Sequence, residues 1–287
     1  MNAGALRADI VEIGRRMYDR GYTASNDGNI SVRLGDDRLL MTPKSDCKGF
    51  MTPDMMCITD LNGRKLEGER DPSSEMLMHL EVYRQRPDVR AVVHAHPPTA
   101  TGFAVAGIPL DRAVLAEVLT TLGSIPIAEY ATPSTSELPE AVRQYIKAHD
   151  GMLLANHGAL TVGADLFSAY YKMETIEHFA KISLVARLLG RENLLAREEV
   201  HRLQELRGAY GIKAPAPICT DDADALSGEP ATCQIVQAPS GGGLRLVPEP
   251  TSHPDRSETR GESPDDEIRL TYRELSVLIE EAIKSLR

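Results

Sequence analysis

A three-layer α/β domain is predicted for residues 1–212 of this 287-residue chain, followed by an acidic linker (213–267) and a terminal amphipathic helix (268–287). Three observations predict it. Strand-length apolar runs alternate with segments of helical period, the pattern of a sheet covered by helices. Hydrophobic residues make up 42% of the chain, enough to fill a sizeable core. Composition then breaks near residue 213: Ala214–Glu267 holds eight prolines, eleven acids, three arginines and only seven Leu, Ile or Val. That is too little apolar surface to offset chain entropy, so the segment is expected to be mostly disordered, with a weak hairpin conceivable only across Thr232–Val247.

In chain order, Leu6–Arg20 has an amphipathic helical period and is closed by Gly21. Asn29–Leu34 and Leu39–Thr42 read as a hairpin across Gly35-Asp36-Asp37, and Cys57–Asp60 as a short strand before the turn Asn62-Gly63. Pro72-Ser73-Ser74-Glu75 opens a helix running to about Gln85, with hydroxyls at the cap and a carboxylate in the first turn. Ala91–His96 is strand-like and stops at Pro97-Pro98, which starts a helix into Ala106. Leu115–Leu122, Glu137–Ala148 and Phe167–Leu189 read as helices, and Met152–Ala155 and Gly158–Val162 as strands flanking Asn156-His157.

Charge and cysteine content narrow the function. With 32 basic and 42 acidic side chains the chain carries a net charge of −10, which argues against a general nucleic-acid binder. No apolar run approaches the ~18–20 residues of a membrane span, so no membrane partner is expected. The first twenty residues carry acids and helix-period apolar positions rather than the regions of a signal peptide. The four cysteines form no CxxC pair and read as reduced thiols of a cytoplasmic protein.

The residues with chemical potential gather around a few histidines. On a strand, positions two apart face the same way, so His94 and His96 project together: a half-site for a zinc-type ion, or a pair of surface or hydrogen-bonded imidazoles. His157, at the end of an apolar strand and followed by Gly158, is either a third ligand or a histidine satisfied by hydrogen bonds. Glu75 is either a capping glutamate or a carboxylate partner for these imidazoles. Ser73 and Ser74 offer hydroxyls and helix N-terminal amides to a phosphate, and Asn26-Asp27-Gly28-Asn29 is a second turn able to receive an oxyanion. GxxxxGK[ST], GxGxxG and GxSxG are absent, so neither nucleotide binding nor a serine hydrolase is indicated. Cys47 and Cys57 read as packed small hydrophobes, and His79, His149 and His178 as structural or surface histidines.

The ordered blocks GNISVR (28–33), MTP (41–43), PSSE (72–75), VVHAHP (92–97), IPIAEYATPSTSEL (125–138), NHG (156–158) and AYG (209–211) resemble the class II aldolase/adducin family over about Leu6–Ile212. The resemblance implies a three-layer α/β/α sandwich with a largely antiparallel central sheet, assembled as a cyclic homotetramer with active sites at subunit interfaces. It implies Zn2+ held by His94, His96 and His157, with Glu75 as catalytic acid/base and as a further metal ligand when substrate is absent. It makes Asn29, Ser73 and Ser74 phosphate contacts, with the loop at Thr42-Pro43-Lys44-Ser45 closing the same pocket, and Tyr210 a proton donor from a neighbouring subunit. The implied reaction is metal-assisted cleavage of L-fuculose 1-phosphate, or L-rhamnulose 1-phosphate, to dihydroxyacetone phosphate and lactaldehyde. The sequence departs from the family pattern at Leu115, where a second catalytic tyrosine is expected, at Asn26 in place of a phosphate-contacting threonine, and at Lys44-Ser45 in place of Thr-Gly. Leu115 keeps open a pentulose-phosphate 4-epimerase, a sugar-phosphate dehydratase or a decarboxylase of the same family, and beyond these a non-catalytic adducin-like scaffold.

The terminus adds a separate expectation. Thr271 and Glu274 form a capping-box signature, and Leu275, Leu278, Ile279, Ala282, Ile283 and Leu286 make one apolar stripe. A short amphipathic helix on a long acidic tether is similar to the encapsulation peptides that carry enzymes into bacterial microcompartments, which implies a shell-protein partner. The alternative is packing within its own oligomer.

Overall fold

In a computed structural model of the chain, residues 3–209 and 212 are described, so the linker, the terminal helix and Tyr210 lie outside the described residues. The elements in order are α1 (Ala3–Asp19), β1 (Asn29–Leu34), β2 (Arg38–Met41), β3 (Cys57–Asp60), β4 (Lys65–Glu67), α2 (Met76–Gln85), β5 (Ala91–Ala95), α3 (Pro98–Val105), α4 (Ala116–Thr121), β6 (Ile127–Ala128), α5 (Glu137–Ile146), β7 (Gly151–Leu154), β8 (Gly158–Gly163), α6 (Leu166–Leu188) and α7 (Arg197–Ala209).

The strands form one eight-stranded sheet in the order β4-β3-β2-β1-β5-β8-β7-β6. Every pairing is antiparallel except that of β6 with β7. Alternation along the strands feeds two cores. Ile30, Val32, Leu40, Val93, Leu153 and Ala159 pack with Ile10, Ile13 and Met17 of α1, Phe103 of α3 and Tyr170, Met173 and Ile176 of α6. On the opposite face Leu39, Val92, Leu154, Leu160 and Val162 pack with Leu80 and Val82 of α2 and Val142 and Ile146 of α5. Helices therefore cover both faces, which is the three-layer arrangement the sequence leads one to expect.

Several details differ from the sequence reading. Strand β5 ends at Ala95, so His96 sits just past the ladder rather than within it. Helix α2 starts at Met76; Glu75 occupies the cap position with its side chain making no cap bond, while Ser73 Oγ accepts from the Glu75 N–H at 3.3 Å. The serines thus turn the chain into the helix instead of capping it. The strands β4 and β6 and the helix α7 are additional to the elements read from the sequence. Among the described residues no helix is long and apolar enough to cross a membrane.

Candidate active site

The middle of the sheet places three distant chain segments side by side. Asn29 at the start of β1 pairs with His94 on β5, and His94 pairs across the other edge with Leu160 on β8. The turn before β8 carries His157, and Asn156 adopts φ 55° to make it that tight. Glu75, at the mouth of α2, faces this strand end.

The three imidazoles converge. Their ring centroids are 4.7–5.0 Å apart, each pair edge to face. His94 is fully buried and its Nδ1–H donates to the Ala159 carbonyl at 2.9 Å, so its Nε2 faces the cluster. His96 Nε2 lies 3.1 Å from His94 Nε2. Glu75 Oε2 is 3.3 Å from His94 Nε2, and Glu75 Oε1 is 3.1 Å from His157 Nε2. Glu75 Oε1 and His157 Nδ1 are buried and lack a hydrogen-bonded partner.

The His94–His96 and Glu75–histidine separations of 3.1–3.3 Å suit neighbouring ligands of a tetrahedral cation, because ligand distances of roughly 2.0–2.1 Å put such atoms about 3.3 Å apart. A single shared proton could join only one of these pairs. Among the described residues, His94, His96 and His157 form the one histidine, cysteine and carboxylate group able to hold a metal ion.

The charges are coupled accordingly. Burial alone would raise the Glu75 carboxyl, but the charge of His94 and contacts from His157 and His94 hold it below the usual carboxylate range. Burial works against a charged His94, yet the Glu75 carboxylate raises it above the ordinary histidine value. His96 is pushed down to about 4, by burial first and then by the charges of His94 and His157.

Beside the cluster opens a cleft of about 300 Å³ lined by Asn26, Asn29, Lys44, Ser45, Ser73, Ser74, Glu75, His96 and His157. It brings together all the sequence-assigned phosphate contacts. An isolated bridge between Pro43 and Pro72, with Lys44 N–H donating to Asp71 O and Ser73 N–H to Thr42 O, draws the Lys44-Ser45 loop against Ser73-Ser74. Asn29 has a further engagement: its amide nitrogen donates to Glu75 Oε2 at 2.7 Å. Leu115 lies elsewhere, at the start of α4 on a larger open cleft with Arg20, Tyr22, Glu174 and Lys181.

Two lining features were not singled out from sequence. Lys48 is almost wholly buried, and its ammonium donates to the carbonyls of Asn26 at 3.0 Å and Asp46 at 2.6 Å, pinning the 24–28 turn to the cleft wall. Burial lowers its pKa. Pro133 and Ser134 close the rim. A lysine is ordinarily solvent-exposed, and nothing in its neighbours marks this one as internal.

Close backbone approach matters at Gly158. A Cβ there would stand 2.5 Å from the Ala95 carbonyl and 2.5 Å from His96 Cδ2. Gly158→Ala is therefore expected to push the His96 imidazole out of line and to weaken divalent-metal binding about 10–100-fold, the range for lost ligand support. Competition with a zinc chelator measures it; unchanged affinity would mean His96 is not held by this contact.

Comparison with known proteins bears on the same segments. A model of the Class II Aldolase and Adducin N-terminal domain matches residues 8–184. The chain is 34% identical over 177 residues to an L-fuculose phosphate aldolase of Methanococcus maripaludis, covering 62% of this chain and 95% of that protein. It is 31% identical over 183 residues to a 3-oxo-tetronate 4-phosphate decarboxylase of Pectobacterium atrosepticum, covering 62% and 84%. A 5-deoxy-D-ribulose 1-phosphate aldolase of Bacillus thuringiensis is 34% identical over 206 residues, covering 71% and 96%. A solved L-fuculose 1-phosphate aldolase structure superposes with a TM-score of 0.66 at 32% identity, covering 70% of this chain and 94% of that one.

Proposed function

Because the chain belongs to the class II aldolase and adducin family, we propose that it is a metal-dependent aldolase cleaving L-fuculose 1-phosphate, or L-rhamnulose 1-phosphate, to dihydroxyacetone phosphate and lactaldehyde. The observation that carries this reading is the Glu75 carboxylate, set against two of three clustered imidazoles at the end of a cleft lined by hydroxyls, amides and an ammonium group. His94, His96 and His157 would hold a zinc-type ion, which when bound supplies Lewis-acid polarisation of the ketose carbonyl and its neighbouring oxygen.

The protein's own groups do the rest. Asn26, Asn29, Lys44, Ser45, Ser73 and Ser74 bind the 1-phosphate, and that anchorage fixes the C3–C4 bond relative to Glu75. Cleavage removes the proton from the C4 hydroxyl, breaks C3–C4 with its electron pair passing into the enediolate of dihydroxyacetone phosphate, and returns a proton to C3. Glu75 is assigned the proton at C3, and Tyr210, outside the described residues, the proton on the C4 oxygen.

A second reading in the same family, a decarboxylase, 4-epimerase or dehydratase, is favoured by Leu115 standing where an aldolase tyrosine is expected and by the decarboxylase relative. The deciding experiment offers L-fuculose 1-phosphate, L-rhamnulose 1-phosphate, 5-deoxy-D-ribulose 1-phosphate and 3-oxo-tetronate 4-phosphate, with and without chelator. Lactaldehyde from either of the first two, lost on chelation, is the expected result; carbon dioxide from the last, or cleavage indifferent to chelator, overturns it.

The same reading takes the protein as a homotetramer with sites at subunit interfaces, supported by the exposed apolar side chains Ile182, Val185 and Leu188 on α6 and Leu189 just past its end. The terminal helix, whose residues are outside those described, is read as a microcompartment targeting signal that binds shell protein. Residues 265–287 fused to a fluorescent protein should form puncta with co-expressed shell proteins and lose them on Leu278→Asp; diffuse fluorescence would leave only the oligomer-packing role.

A further inference from the structure

We propose that His79 is a positioning residue: it fixes the direction of the Asn29 amide, and so keeps an Asn29 N–H on the Glu75 carboxylate, through a one-way chain of hydrogen bonds that begins at Tyr83. The proposal rests on Glu75 being the proton-transfer group of the preceding section.

Fold geometry builds the chain. Asn29 and Ser31 alternate along β1 onto the face that packs against α2, and His79 and Tyr83 lie four residues apart on the facing stripe of that helix. All four are buried. Asn29 Nδ2 donates to Glu75 Oε2 at 2.7 Å, Asn29 Oδ1 is 2.5 Å from His79 Nε2, His79 Nδ1 is 2.7 Å from Ser31 Oγ, and Ser31 Oγ is 2.9 Å from the Tyr83 hydroxyl. The Tyr83 hydroxyl is also 3.0 Å from the Ser31 carbonyl, so its single hydrogen is shared between the two Ser31 oxygens, and the Arg33 guanidinium lies 4.9 Å over its ring.

Donor and acceptor accounting sets the direction. An ionised carboxylate only accepts, so the NH2 of Asn29 must face Glu75 and its carbonyl must face His79. That carbonyl also only accepts, so His79 Nε2 must carry a hydrogen. Burial pushes His79 down to about 3, which keeps the ring neutral and leaves Nδ1 bare. Nδ1 then accepts from the Ser31 hydroxyl, whose oxygen is free to accept from Tyr83. Every donor points toward Glu75. Turning the Asn29 amide over would set its oxygen against the carboxylate, and would require the opposite His79 tautomer. In a low-dielectric interior a chain aligned in one sense is reinforced along its length.

The test uses the full-length protein. Nitrogen-15 NMR of labelled histidine is expected to show His79 as the neutral Nε2–H tautomer, with the Asn29 side-chain amide protected from exchange. His79→Leu is expected to lower kcat about tenfold and to speed exchange of the Asn29 amide. His79→Gln, whose amide N–H can replace the imidazole donor, is expected to recover most of that kcat and the protection. Added to Asn29→Ala, His79→Leu should cost nothing more. An Nδ1–H tautomer, a His79→Gln variant as slow as His79→Leu, or losses that multiply would overturn the proposal. Should the wild-type protein cleave none of the sugar phosphates, the functional reading fails, while tautomer and amide exchange still decide this one.

Discussion

On the proposed function, His157→Ala is expected to leave the protein without bound divalent metal and to take sugar-phosphate cleavage down to background. Outer-shell partners of metal ligands typically contribute 10–100-fold in affinity, and loss of a ligand itself should exceed that. His157 has the further property that its turn is backbone-determined: its N–H donates to Leu154 O at 3.0 Å, and Gly158 follows at the close approach to β5. Removing the imidazole should therefore leave the fold intact while emptying one corner of the cluster. The checks are metal content after gel filtration, turnover, and the circular dichroism melt. A variant that keeps stoichiometric metal and normal turnover would exclude His157 as a ligand.

Glu75→Gln is expected to keep the metal and lower kcat about a hundred- to ten-thousand-fold, the usual contribution of a positioned acid/base, with little change in KM. Glutamine has the same shape but cannot take and return a proton. The native carboxyl, held below its usual range by the neighbouring imidazoles, is ionised in the neutral region. The half-reaction isolates this role: wild-type protein should exchange the C3 proton of dihydroxyacetone phosphate with deuterium oxide, and the variant should not. Near-normal exchange by the variant would move the proton transfer to another group.

Much of this site is legible in the sequence, and the reasons are local. His94 and His96 are visible because strand alternation and a following proline are short-range signals, and Glu75 because it sits beside an evident helix start. What escapes is whatever depends on distant segments. His79 looks like an ordinary mid-helix histidine, since its partners Ser31 and Asn29 are 48 and 50 positions away. Lys48 gives no hint of burial for the same reason. The serines 73 and 74 look like caps because hydroxyls are good caps, whereas the helix starts later and Glu75 is turned toward the histidines.

Helix α7 escapes notice because it buries only Val200 and Arg207 and so has no apolar stripe to detect. Strand β6 is two residues long, too short for any period to register. The antiparallel strand order was available only through family resemblance, since periodicity reports faces and not neighbours.

The sheet order has a consequence for how the protein matures. His94 Nδ1 meets Ala159 across 65 positions, and Asn29 reaches Glu75 across 46. Such contacts are the late, slow ones in folding, because a long loop must close before anything rewards it. A partly unfolded chain therefore presents scattered histidines with no shared centre. The β1–β5–β8 pairings are what bring the three histidines together, and an ion bound there at a thousand times its dissociation constant would add about 4 kcal/mol to the stability of the domain. For the ion of the proposed function, loading would then report on correct strand order, because a sheet in another register would not bring His94, His96 and His157 together.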